Sequence, residues 1–214
     1  MKKIAVILSI FAGSLLIVGN TPDFADAQEN KTALPKSWEE FVEFHYNCGA
    51  FGTFATEGET QDMWVGIDAG QKYTATYSLS ISDDQSTIYS SHRMATENGD
   101  VISIGSGLQY WNPKSNQVMA CYNGFDQGEI FTGQSKLLGM DAENKMLEWS
   151  YVEKSKGKTT TYLQKITQAS PNTKTQVAKK KSGGEGWAEE LTRVPENGIF
   201  LRRNLMPKLF RRMK

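Results

Sequence analysis

The sequence predicts a mostly β protein, an antiparallel up-and-down β-barrel of about eight to ten strands with a short N-terminal helix capping one end. Three observations lead there. Between Gly70 and Ile166 short runs alternate polar and apolar residues, the clearest being Tyr73, Ala75, Tyr77, Leu79 and Ile81 against Thr74, Thr76, Ser78 and Ser80. A period of two is that of a half-buried strand, whose successive side chains point to opposite faces. Turn-forming clusters separate the runs at Ser82 to Gln85, Glu97 to Asp100, Asn112 to Lys114, Asn123-Gly124, Asp141 to Asn144 and Lys156-Gly157. Asn98-Gly99 is the strongest of these, because both residues accept the positive φ of a tight hairpin. Finally, so many strands in one open meander would leave long bare edges, and closing the sheet removes them.

Taken in order, the chain starts with Lys2 and Lys3, an apolar run from Ile4 to Val18, and Ala25-Asp26-Ala27. This is the pattern of a signal peptide over residues 1–27. The run is short for a membrane span, and Gly13, Ser14 and Gly19 dilute it. No cysteine sits near the cleavage point to take a lipid. The expectation is export, to the periplasm or outside the cell, of a chain starting at Gln28. That chain comprises a leader (28–35), one barrel domain (36–195) and a basic tail (196–214), a length that suits a single core. Basic and acidic residues balance at 24 each, yet residues 196–214 carry six lysines and arginines against Glu196 alone. The body is therefore acidic, which excludes nucleic acid as its partner, since phosphate neutralisation needs a basic face.

Pro35-Lys36-Ser37-Trp38-Glu39-Glu40 opens the one clear helix of the body, Ser37 as N-cap and Glu40 completing a capping box. Trp38, Phe41, Val42 and His45 share a face, and Asn47-Cys48-Gly49 ends the helix. A helix ahead of the first strand is placed to close one end of a barrel, with His45 packed within it. Strands follow, the first carrying Phe51 and Phe54 between glycines, then at about 71–81, 86–95, 100–111, 116–122, 128–139, 145–153 and 158–166, with final candidates at about 173–178 and 186–194. Cys48 and Cys121 are the only cysteines. In an exported chain they can pair, closing a long loop worth about 4 kcal/mol at most, or remain as two buried thiols.

A helix leading into Gly-x-aromatic on the first strand, a run of hairpin-linked strands and an arginine on the last strand together resemble the calycin superfamily, and most closely the secreted lipocalin-like domain proteins of bacteria. The resemblance covers about residues 36–195. In lipocalins the first-strand motif is Gly-x-Trp, with the indole packed under an arginine from near the last strand. The matching candidates here are Gly49-Ala50-Phe51 or Gly52-Thr53-Phe54, with Arg193, and the tryptophan is replaced by phenylalanine. The resemblance implies Phe51 and Arg193 as structural residues and suggests ligand binding within the barrel.

Tyrosine and tryptophan combine an apolar body with a polar handle suited to an amphiphilic ligand, and Tyr73, Tyr77, Tyr110, Trp149 and Tyr151 are the candidate lining. Alternation does not say which strand face is lumenal, and for any one of them ordinary core packing is the better reading. Catalytic signatures are absent: no G-x-S-x-G, H-E-x-x-H, phosphate loop or dinucleotide fingerprint occurs. No catalytic residue, metal ligand set or cofactor is assigned, because two scattered histidines and two distant cysteines make no cluster. Neither His45 nor His92 lies in a haem-binding motif. In the tail, Ile199, Phe200, Leu205, Met206, Leu209, Phe210 and Met213 interleave with basic residues. Such a segment suits an anionic membrane surface, the protein's own acidic body, a partner or no fixed structure, and Pro207 interrupts its helical pattern. The expected role is non-enzymatic binding of a small apolar or amphiphilic molecule. The alternative is an envelope interaction module with a filled barrel, docking through the tail.

Overall fold

The computed structural model describes residues 32–60, 67–184 and 186–195. The expected signal segment, the first half of the leader and the basic tail lie outside the described residues, as do Asp62 and Trp64. Helix α1 (Trp38–Cys48) precedes ten strands: β1 (Gly52–Glu59), β2 (Lys72–Ile81), β3 (Ile88–Thr96), β4 (Val101–Asn112), β5 (Gln117–Asp126), β6 (Glu129–Asp141), β7 (Met146–Ser155), β8 (Lys158–Ser170), β9 (Thr173–Lys180) and β10 (Trp187–Arg193). Each strand pairs antiparallel with its sequence neighbours, and β1 pairs with β10, so the sheet is a closed up-and-down barrel.

The helix forms where its caps place it. Ser37 Oγ accepts from the Glu40 amide at 3.3 Å, and the Glu40 carboxylate reaches back to the Lys36 amide at 2.6 Å, one residue earlier than a capping box on Ser37 would have it. Gly49 ends the helix in the left-handed region at φ 68°, its N–H directed at the His45 and Tyr46 carbonyls. The buried face carries Phe41, Val42, Phe44, His45 and Cys48. These plug one end of the barrel against Ile88, Val118, Leu137, Leu147 and Trp149, while the Trp38 indole N–H donates to the Gln85 carbonyl in the β2–β3 turn. A smaller cluster of Tyr73, Ala75, Met94 and Ile102 lies toward the other end.

One expected turn is not a turn. Asn123-Gly124 lies inside β5, paired with Ser106 and Gly105 on one side and Thr132 and Phe131 on the other. The chain reverses instead at Gln127 (φ 45°) and Gly128 (φ 89°). Both ladders around Asn123-Gly124 are satisfied, and this tertiary pairing overrides the local turn preference. The disulfide is likewise corrected. Both cysteines are free thiols: Cys48 is buried at the end of α1, whereas Cys121 sits between Ala120 and Tyr122, which face the lumen, and so points to the outer wall. The barrel wall stands between them.

Closure rests on a narrow seam. Between β1 and β10 only Phe54↔Arg193 and Ala55↔Thr192 are in register, and Arg193 reinforces that pairing with its side chain. Its Nε donates to the Pro171 carbonyl at 2.7 Å, one terminal nitrogen donates to the Phe51 carbonyl at 2.8 Å, and the other donates to the Gly49 carbonyl. The guanidinium also lies 4.6 Å from the centre of the Phe54 ring, a cation–π contact. Arg193 thus covers the ring of Phe54, and it meets Phe51 through the carbonyl. The Phe51 ring packs instead on the helix, 4.8 Å from Tyr46 and 5.7 Å from His45. Gly52, at φ 119°, leaves room for the guanidinium, which a Cβ there would strike. Replacing Arg193 by lysine keeps the charge and loses the planar fork. Arg193→Lys is expected to cost about 2–4 kcal/mol, read from the urea midpoint; a wild-type midpoint would remove the seam from the account of stability.

Candidate functional site

Between the two clusters the barrel is hollow. A cavity of about 220 Å³ exceeds the ~150 Å³ that holds a benzene ring. Its floor is the helix end, with Phe44, His45 and Cys48, and its walls come from alternate residues of β2 to β10. The inward parity is set strand by strand: odd in β2, even in β3 and β5, odd in β7, even in β8 and β9, odd in β10.

That parity sorts the candidate residues. Tyr77, Trp149 and Tyr151 line the cavity. Tyr73 has the same parity as Tyr77 but is buried in the cluster beyond the cavity. Tyr110 is on the outer wall, 37% exposed, because Gln109 occupies the lumenal position beside it and neighbours in a strand cannot share a face.

Aromatic rings tile the wall. His92 lies nearly parallel to Tyr77 and Tyr122, with ring centres 5.9 and 5.7 Å away, and Phe131 continues the row at 6.0 Å from Tyr122. Across the lumen Tyr151 and Tyr162 are near-parallel at 5.9 Å, and Trp187 meets Tyr162 edge-on at 5.1 Å. The rings can lie flat because glycines sit beneath them. A Cβ at Gly107 would enter the Tyr122 ring, and one at Gly133 would enter that of Tyr151.

Polar groups are set among the rings. Tyr77 OH donates to Glu189 Oε1 at 3.1 Å, and Tyr151 OH donates to Glu153 Oε2 at 2.9 Å. Ser103, fully buried, directs its hydroxyl at the Phe125 carbonyl at 3.3 Å and toward the Asp126 carboxyl. His92 Nε2 lies 2.7 Å from Ser103 Oγ and His92 Nδ1 lies 2.7 Å from Tyr122 OH, so a hydrogen bond joins each ring nitrogen to a hydroxyl. His92 is therefore a neutral imidazole with both nitrogens engaged, its pKa lowered to about 4 by burial. Burial raises the carboxyls, Glu189 to about 7 against the pull of the Tyr77 hydrogen bond, Asp126 to about 6, and Glu153 upward in the same way. At the helix end Lys174 lies 4.2 Å from the centre of the Phe54 ring, its pKa lowered to about 8 by burial and then by Arg193. Gln109 Oε1, Gln168 Oε1 and Glu189 Oε2 are buried without a hydrogen-bond partner.

Among the described residues the site thus offers rings, carboxyls and amides. Among the described residues no group of three or more His, Cys, Asp and Glu is placed to hold a metal ion. Of the two histidines, His92 is hydrogen-bonded at both nitrogens, and His45, at the cavity floor, is hydrogen-bonded through Nδ1 to the Phe41 carbonyl.

Comparison of the chain with protein-family models and with curated proteins gave no match. The closed ten-strand antiparallel barrel with one short helix is consistent with a calycin-like fold.

Sequence reasoning passed over Glu153, Glu189, Lys174 and Asp126. A signal was present for two of them. Glu153 falls in register with Leu147, Trp149 and Tyr151, and Glu189 lies between Trp187 and Leu191 at the same spacing, so each is a charge on an apolar strand face, where charges are rarely left.

Glu189 has a readable signature. A carboxyl whose pKa is raised on folding from 4.5 to about 7 contributes stability that is fully present below pH 4.5 and lost as pH rises through 7. Glu189→Gln, neutral throughout, is expected to melt near the wild type at about pH 5 and to be more stable by about 2 kcal/mol at about pH 8. Because His45 and His92, lowered to about 4, shift stability the opposite way in both proteins, the difference between variant and wild type is the quantity to follow. Equal melting differences at both pH values would show that Glu189 does not titrate in this range.

Proposed function

We propose that this protein is an exported member of the calycin superfamily that binds a small apolar or amphiphilic molecule in its lumen without transforming it. The observation that carries the reading is the hollow barrel, whose cavity of about 220 Å³ is walled by Tyr77, Tyr122, Trp149, Tyr151 and Trp187 and bordered by the partnerless amide oxygens of Gln109 and Gln168. A barrel evolved only as a scaffold gains stability by filling its lumen with side chains, since each methylene-sized void costs about 1 kcal/mol. Buried acceptors without partners carry a further cost. A ligand or ordered water that donates to these amides offsets both. The Arg193–Phe54 contact in the position of the lipocalin arginine and first-strand aromatic supports the superfamily assignment.

The first test is native mass spectrometry of the protein purified from its own host. A stoichiometric small molecule released on denaturation is the expected result. In parallel, the uncharged dye N-phenyl-1-naphthylamine should bind and brighten. Ala120→Trp, which places an indole in the lumen, should weaken that binding by about tenfold or more. A bare mass across preparations, together with a dye affinity unaffected by Ala120→Trp, would overturn the proposal.

A further inference from the structure

The cavity is chemically polarised. Toward the Trp187 side it is bordered by Tyr77, Tyr122, Tyr151 and Glu153, with Glu189 directed inward between Trp187 and Leu191. Toward the helix it is bordered by Leu147, Trp149 and Ile166, with Lys174 near the floor.

Three observations at the Trp187 side point the same way. The near-parallel rings of Tyr77, His92 and Tyr122 form one sheet-like row. Tyr122 rests on Gly107 and Tyr151 on Gly133, so each turns its remaining face to the lumen, and ring faces carry the negative end of the aromatic quadrupole. Two carboxyls enter from different strands, Glu153 from β7 and Glu189 from β10, and among the described residues no ion pair joins either of them, or Asp126, to a lysine or arginine. Each has one oxygen occupied by a tyrosine hydroxyl, and Glu189 Oε2 is buried with no partner at all. A buried carboxylate that has lost water and found no cation is costly. Here Tyr151 holds Glu153 on the cavity lining, and Tyr77, itself a lining residue, holds Glu189 against the wall.

We propose that the lumen is a site for an amphiphilic ammonium ion, its charge held by the ring faces of Tyr77, Tyr122 and Tyr151 with the carboxylates of Glu153 and Glu189, and its apolar part lying along Leu147, Trp149 and Ile166. The inference rests on the ligand-binding reading above and specifies the class of ligand. Lys174 sets the orientation, because it repels an ammonium from the helix end and leaves that end to the apolar tail. The rival is a ligand of the opposite charge whose carboxylate meets Lys174 or Lys145, both of which line the cavity. Against it, Lys174 is already seated on the Phe54 ring, and an anion would share the lumen with Glu153.

The test compares three probes of one chain length on the full chain: decyltrimethylammonium, decanoate and decanol, followed by calorimetry and by the emission of the lumenal Trp149 and Trp187. Decyltrimethylammonium should bind at least about tenfold tighter than decanoate. Glu153→Gln and Glu189→Gln should each remove about fivefold or more of the ammonium affinity while leaving that for decanol unchanged, decanol serving as the check that the variant barrel is intact. If a variant does not fold, the probe ranking on the wild type decides alone. Decanoate binding as tightly as the ammonium, or more tightly, would overturn the ammonium assignment and leave the binding lumen standing. Failure of all three probes to bind would remove the lumen as a binding site and the assignment with it.

Discussion

The barrel hangs on Arg193. Elsewhere each strand is held to its neighbour by a long antiparallel ladder, but β1 meets β10 over two residue pairs. If that seam opened, both strands would become bare edges with unsatisfied backbone groups. One guanidinium supplies what the ladder lacks. Its donors are spread over three carbonyls, at the end of α1, at the start of β1 and in the β8–β9 turn, while its plane covers Phe54. The Val194 amide adds a bond to Thr53 at 2.8 Å. Helix, first strand, last strand and the hairpin before it are therefore tied at one point, and the helix is fixed as the plug of that end.

Closing the barrel creates the lumen, and the lumen is where the fold departs from what stability alone would select. Apolar residues fill both ends, while the middle holds three carboxyls with raised pKa values, a neutral histidine and buried amide oxygens without partners. Such departures from local consistency mark functional positions in folded proteins. The hydrogen bonds that are present do a specific job: Tyr77 and Tyr151 orient the carboxyls, and Tyr122 and Ser103 hold the His92 ring in place through both nitrogens. The polar groups are thus fixed in direction while retaining capacity for a guest.

Much of this was legible in the chain. Alternation marked the strands, Ser37 and Gly49 marked the helix ends, and the glycine-aromatic pair with Arg193 pointed to the closing contact. The misreadings share a cause. Asn123-Gly124 carries a turn preference that two satisfied ladders overrule, and the choice between a Cys48–Cys121 bridge and two free thiols turned on a wall between lumen and outside that the sequence does not show. Tyr110 had the composition of a lining residue and the wrong parity. The carboxyls of Glu153 and Glu189 were visible as charges on apolar faces, but only if each strand's inner face was already known.

By itself, the sequence determined the class of fold, the number of strands within narrow limits, the capping helix and the sets of residues that share a face. These follow from local geometry: a period of two, a capping side chain, a glycine at positive φ. Tertiary structure alone decided which face is inward, how far the lumen stays hollow, and that Tyr77 of β2 meets Glu189 of β10. Those outcomes depend on closure, because bending ten strands into a ring brings together residues more than a hundred positions apart. No local period encodes that meeting.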